Sequence, residues 1–273
     1  MNKVKFGSVL VRSFKSILKV FGLRVMFSKN SLILSNYIKN LEMNYAKVKV
    51  EHRNYEIIDR KNHDYKKYFA KSHSQFSQDI FALTFNDWKR DGFFVEFGAY
   101  DGKTHSNTYM LEKEFGWRGI IAECSKGCEE ILKRNRTCDI EFRALWKESD
   151  RDLEFLDCDQ SELSTLTSYR ESDGHAAIRQ KGEVYSVKTI TLDSLLKKYN
   201  APKRIDYMSI DTEGSEWDIL EGFPFVNYEI GVITIEHNFN SNRNHVSSLL
   251  LENGFNQIFQ DISEIEDWFV KGE

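Results

Sequence analysis

The chain has 273 residues, 41% hydrophobic and 29% charged, enough to bury one sizeable core with a smaller appendage, and its composition is not that of a disordered protein. A net charge of -4, with acids and bases mixed through most of the sequence, gives no electrostatic reason to bind nucleic acid. Cys124, Cys128, Cys138 and Cys158 form no CxxC pair, so they indicate neither a disulfide framework nor a zinc ribbon, and a reducing, cytoplasmic compartment is expected.

Residues 1–30 depart from this mixture, because Lys3, Lys5, Arg12, Lys15, Lys19, Arg24 and Lys29 stand there without any Asp or Glu. At about 100° per residue, Phe6, Leu10, Phe14, Ile17, Leu18 and Phe21 share one helical face, and Lys5, Arg12, Lys15 and Lys19 the opposite one. The pattern predicts a basic amphipathic helix that lies on an anionic surface such as the inner membrane, or packs on the main domain or a partner chain. Charges interrupt it too often for a transmembrane span, and no small-residue cleavage site follows it. Residues 31–73 are polar, rich in Lys, Asn and Tyr, and read as a lead-in segment.

From Ser74 the pattern changes. It predicts a helix over 78–83, a strand over 92–97, a glycine-bearing turn, a helix over 107–115 closed by Gly116, and a strand over 118–123. A helix over 128–134, a strand over 139–145 and a strand over 152–156 follow. The stretch from there to about 185 is too polar for core and reads as a substrate loop. The latter half predicts strand 187–190, helix 192–199, strand 205–210, helix 215–220 with Ser215 as its cap, strand 230–235, helix 246–253 and a last strand at 258–259. Alternation of this kind implies an α/β domain over 74–273: a Rossmann-like, doubly wound, mostly parallel sheet with an antiparallel edge, preceded by the helical extension.

A sheet of this type binds its ligand beyond the carboxyl ends of its strands. At the first such end stands Glu96-Phe97-Gly98-Ala99-Tyr100-Asp101-Gly102. Gly98 and Gly102 let the backbone approach a ligand, while Glu96 and Asp101 put carboxylates where a dinucleotide would bring its pyrophosphate. A sulfonium with an amino group and no phosphate suits that turn better, and Gly-x-Gly-x-x-Gly is absent. Glu123 ends the next strand about 25 residues on, where a carboxylate can accept both hydroxyls of a ribose.

Together with Ser74-Gln75-Phe76-Ser77-Gln78-Asp79, Ser106-Asn107-Thr108, Gly116-Trp117-Arg118-Gly119, Ile210-Asp211-Thr212-Glu213-Gly214-Ser215-Glu216 and Ile235-Glu236-His237-Asn238, this turn resembles the FkbM family of methyltransferases over 74–273. The resemblance implies S-adenosylmethionine as methyl donor and O-methylation of a sugar or natural product. It places Glu96, Gly98 and Asp101 at the cofactor and Glu123 at its ribose. Gln78, Ser106 and Asn107 from the same motifs, and Ala144 on the third strand, complete the expected cofactor contacts. The usual proline after the second-strand acid is replaced by Cys124-Ser125.

Asp211, Thr212 and Glu213 follow a buried strand. Asp211 is expected to hold the cofactor's amino group or the acceptor, and Glu213 to orient a hydroxyl or to stabilise the helix dipole. His237, at a strand end between Glu236 and Asn238, is the expected general base, with Asp211 and Glu213 as its catalytic companions. A variant of this chemistry uses Asp211, Glu236 and Asn238 as oxygen ligands for Mg2+. The expected function is O-methyl transfer to a sugar or glycan hydroxyl, a bacterial surface-glycan precursor being one example. The rivals are a nucleotide-sugar oxidoreductase and a non-catalytic, membrane-tethered binding module.

Overall fold

The computed structural model describes residues 40–172, 176–260 and 265–272, except 42, 46 and 53–62, and excludes the side chains of 63–66. The amphipathic helix expected over 1–30 lies outside the described residues. The chain divides into two units, Met1–Tyr45 and Ala46–Glu273. The second begins well upstream of Ser74, because Lys47 donates to the Ser74 carbonyl and Ser77 to Glu51 across the expected boundary. Among the described residues, no helix is long and apolar enough to cross a membrane.

Helix α1 (Gln78–Phe85) leads into β1 (Phe93–Phe97), then α2 (Tyr109–Phe115), β2 (Arg118–Ala122), α3 (Glu129–Asn135) and β3 (Asp139–Glu141). After an inserted region come α4 (Leu192–Lys198), β8 (Arg204–Ile210), α5 (Glu216–Leu220), β9 (Glu229–Glu236), α6 (Arg243–Glu252), β10 (Phe255–Ile258) and β11 (Glu266–Lys271). They form one seven-stranded sheet in the order β10-β11-β9-β8-β1-β2-β3. β3, β2, β1, β8 and β9 are parallel, whereas β11 runs antiparallel to both β9 and β10.

The parallel strands are buried on both faces, which is why they read as unbroken apolar runs. Period-two alternation sends Val95 and Phe97 of β1 into one core with Ile120, Met208, Ile210 and Ile233, covered by Leu192, Leu195, Ile219 and Leu250 of the helices. Phe94 and Glu96 take the other face. Gly116 holds a left-handed φ of 70° at the end of α2, as a helix-closing glycine does.

Three sequence expectations are corrected. The strand expected over 139–145 is two strands: β3 stays in the large sheet, while β4 (Ala144–Leu145) leaves it. The break falls where Arg143 folds back to donate three hydrogen bonds to Glu141, and the strand-like alternation of Asp139-Ile140-Glu141-Phe142-Arg143-Ala144 hides it. The stretch to residue 185 is mostly turns and coil but not all loop: β5 (Asp152–Cys158) runs past its expected end, and β6 (Thr165–Leu166) and the early start of β7 (Gly182–Ile190) join it and β4 in a second sheet ordered β4-β7-β5-β6. One side of β7 faces solvent, so its polarity reflects exposure of a hairpin, not a loop. β11 was not expected, because its polar Glu266 and Asp267 mask a strand that is buried through Phe269.

The chain leaves β1 toward β2 and β3 and later returns to β1's other side as β8. That reversal opens a crevice at the carboxyl ends of β1 and β8.

Candidate active site

The crevice is built at Gly98. Its N–H donates to the Ala122 carbonyl, and Asp211 N–H donates to the Phe97 carbonyl, so the ends of β1, β2 and β8 are tied together. Gly98 has φ of 73°, and a Cβ there would lie 1.7 Å from the Asp211 carbonyl oxygen. No larger residue fits between the two strands.

Glu96 organises this turn from below. Its carboxylate accepts from Ser106 Oγ, Asn107 N–H, Thr108 Oγ1 and Arg136. Arg136, fully buried, also reaches Glu112 at 2.6 Å, the Gly102 carbonyl, Ser106 and Thr108. Ser106 and Asn107 are thus spent on Glu96 as donors, and Asn107 Nδ2 donates to Ser209 on β8. Asp101 folds back on its own turn, accepting from Lys103 N–H, Thr104 N–H and Thr104 Oγ1. Glu96 and Asp101 are therefore scaffold for the glycine turn. The negative field of the crevice comes from other acids.

One of these is Glu123, half-buried just beyond β2. Its Oε2 accepts from Tyr100 N–H at 2.9 Å and its Oε1 from Ser125 N–H at 2.8 Å. The Cys124 backbone acts on the same carboxylate, and the lone-pair capacity left over can accept from a vicinal diol. Burial pushes its pKa up to about 7 against these hydrogen bonds.

On the opposite side, Asp211, Glu213 and Glu236 converge from the ends of β8 and β9, with one carboxylate oxygen of each within 4.8 Å of the others. Burial first, then the charges of Glu236 and Glu213, hold the Asp211 carboxyl well above the usual carboxylate range. Among the described residues no donor reaches Asp211 Oδ1. Glu213 is committed otherwise: it accepts from Arg179 at 2.6 Å and from Asn238 at 3.2 Å, and Thr165 Oγ1 donates to its carbonyl. Through Oε2 it latches the β6–β7 connection onto the crevice. Asn238 donates to Glu213 through Nδ2, and the three carboxylates of Asp211, Glu213 and Glu236 stand close enough together to hold a cation.

His237 does not have the geometry of a general base. It is 3% exposed, and its Nδ1 accepts the Phe239 N–H at 3.0 Å. The neutral ring then carries its proton on Nε2, which is 3.8 Å from Asp267. Burial lowers its pKa to about 4, although Asp267 acts to raise it. The imidazole holds the turn after β9, where Asn238 and Phe239 adopt φ of 39° and 59°. Ser215 likewise makes no cap; its hydroxyl donates to Thr212, while Glu216 accepts from Thr212 and Gly214 N–H groups.

Two other expected contacts are placed inside the protein. Gln78 Oε1 accepts from Phe76 N–H and its Nε2 donates to Glu266, which lies opposite Glu236 in the β9–β11 ladder. Ala144 packs with Phe155, Leu166 and Val187 in the small-sheet core. Arg136, Arg179, Asp157 and Glu266 are site-building residues that sequence reasoning missed. Arg136 alone left a trace there, as a cation just after the helix that follows the second strand.

A reversed parallel sheet with a glycine turn at the reversal, a half-buried acid on one side and an acid cluster on the other makes a Rossmann-like α/β domain. Residues 96–269 match the model of the methyltransferase FkbM domain, and the chain belongs to that family. Among solved structures it is similar to a precorrin-6y C5,15-methyltransferase from Geobacter metallireducens GS-15, with 8% identity, 71% of this chain and 87% of that one covered, and a TM-score of 0.39. It is also similar to a methyltransferase FkbM from Methylobacillus flagellatus KT, with 12% identity, 79% of this chain and 57% of that one covered, and a TM-score of 0.39. Among curated proteins none matches this chain.

Proposed function

We propose that the chain is an S-adenosylmethionine-dependent O-methyltransferase acting on a hydroxyl of a sugar or glycan. The observation that carries this reading is the pair of open acceptors flanking Gly98: the remaining lone pairs of Glu123 and the donor-free Oδ1 of Asp211. The first suits a ribose diol, and the second, among three acids, suits an ammonium group. The set fits S-adenosylmethionine, which supplies an electrophilic methyl carbon when bound. A pyrophosphate would face the carboxylates of Asp211, Glu213 and Glu236, whose charge repels it, which disfavours an oxidoreductase.

In this reading Glu123 holds the ribose, Gly98 lets the backbone approach, and Asp211 takes the amino group. Glu236, half-buried at the end of β9 and within 4.8 Å of Asp211 and Glu213, accepts the acceptor hydroxyl's proton. Most of the rate comes from positioning. The enzyme works in the cytoplasm, with residues 1–30 resting on the inner face of the membrane and a surface-glycan precursor as acceptor.

The test is calorimetry with S-adenosylhomocysteine and NAD, followed by incubation with labelled S-adenosylmethionine, a panel of glycans and mass spectrometry, with and without a chelator. Binding of the adenosylhomocysteine and a labelled methyl ether are expected. Tight NAD binding without adenosylhomocysteine binding sinks the reading. Loss of turnover on chelation transfers Asp211, Glu213 and Glu236 to a cation.

A further inference from the structure

The acid that ends the second strand is followed by Cys124-Ser125, a pair with free backbone rotation where a ring would have stiffened the chain. The structure supplies stiffness from elsewhere. Ser125 N–H donates to Glu123 Oε1, and Ser125 Oγ donates to Asp157 at 3.0 and 2.9 Å from its two oxygens. Tyr185 OH donates to the same carboxylate at 2.8 Å and accepts the Lys126 N–H at 2.9 Å. Ser164 donates to it from a third side. Asp157 lies on β5, and Tyr185 on β7 pairs with Phe155, two residues away along the same strand. The aspartate and the phenol therefore stand as diagonal neighbours on one face of the small sheet and meet the turn of the large one.

We propose that Asp157 is a positioning residue that orients the Glu123 carboxylate toward the ribose, acting through Ser125 with Tyr185 as its second support. The proposal rests on the reading that Glu123 holds the ribose. Asp157 touches no ligand itself. A hydrogen-bonded brace fixes the Ser125 N–H, and that N–H fixes one oxygen of Glu123, leaving the other lone pairs aimed into the crevice. Supporting partners of this kind are worth about 10–100-fold in affinity where they orient metal ligands, and a similar scale applies to an oriented acceptor.

The test measures the Kd of S-adenosylhomocysteine by calorimetry on the full chain, with Tm recorded for each variant. Asp157→Ala and Ser125→Ala, the second leaving β5 untouched, are each expected to weaken binding about 10-fold or more, while Asp157→Asn, which keeps an acceptor oxygen, recovers most of it. In a Glu123→Gln background, Asp157→Ala is expected to change Kd by less than about 3-fold, because the two residues act as one unit. Equal losses in the two backgrounds, or wild-type affinity in both single variants, would overturn the proposal. A wild-type chain that folds but does not bind the ligand removes the ribose reading, and this proposal with it; a wild-type chain that binds, with Asp157→Ala and Ser125→Ala binding equally well, removes the brace alone.

Discussion

Arg136→Met tests whether the glycine turn is held by one cation. In the wild type the guanidinium makes five hydrogen bonds, to Glu112, Glu96, the Gly102 carbonyl, Ser106 and Thr108, at distances of 2.6–3.3 Å. Methionine retains much of the apolar stem over the Phe94 ring but leaves two buried carboxylates without their cation. Breaking a buried pair by removing one partner costs about 3–5 kcal/mol. In a domain of this size each kcal/mol moves Tm by a few degrees, so a fall of about 6–20 °C is expected at pH 7. The pH dependence is a second signature. Burial works to raise the Glu112 pKa, but Arg136, Lys113 and Thr137 hold it at about 2 against an ordinary 4.5. Its stabilisation is complete above 4.5 and is lost as pH falls toward 2, so the gap between wild type and variant should narrow over that interval. Circular-dichroism melts from pH 7 to pH 3 measure both effects. A variant within about 2 °C of wild type at pH 7 refutes the reasoning. Arg136→Lys should fall between the two, since an ammonium cannot span acceptors on several sides.

Asp211→Asn should leave Tm unchanged or raised, because it removes a charge repelled by Glu236 and Glu213, while weakening S-adenosylhomocysteine binding about 10-fold or more. A large drop in Tm would show that the charge is paired. His237→Ala should destabilise by about 1–3 kcal/mol through the orphaned Phe239 N–H and the lost packing, yet slow turnover by less than about 10-fold. A loss of about 100-fold or more in a folded variant would restore it as the base. For Glu123, whose folded pKa is raised to about 7, the ionised acceptor fills in as pH climbs from 6 to 8. Ligand affinity should rise across that range in wild type and stay flat in Glu123→Gln. The same raised pKa makes its stability contribution decline as pH climbs from 4.5 through 7.

The parallel strands and the glycine turn were legible because burial on both faces writes continuous apolar runs, and glycine marks where φ turns positive. What stayed hidden was side-chain direction. His237 was placed correctly at a strand end, but nothing in its neighbours shows that Nδ1 turns onto its own backbone. Glu96 was placed correctly too, yet its cation lies 40 residues away, and Ser125 meets Asp157 across 32. Spacing arguments reach partners within one helix turn or one strand; they do not reach across a crossover. The β3–β4 break and the early start of β7 were lost for a related reason, since membership of one sheet or another is decided by contacts and not by local polarity.

The small sheet meets the crevice from two sides: Asp157 on β5 meets the turn beyond Glu123, and Thr165 of β6 with Arg179 of the connection after it fastens onto Glu213. These two points differ in how freely they can evolve. Apart from Tyr169 and Arg179, which fasten it to Asp218 and Glu213, the connection between β6 and β7 carries none of the seven strands, so that side of the crevice has room to change. The β5–β7 hairpin has no such latitude, because an insertion there would slide Asp157 and Tyr185 out of register together and with them the floor beneath Ser125. One appended sheet thus carries a hinge point for diversification at one end and an anchor for inheritance at the other.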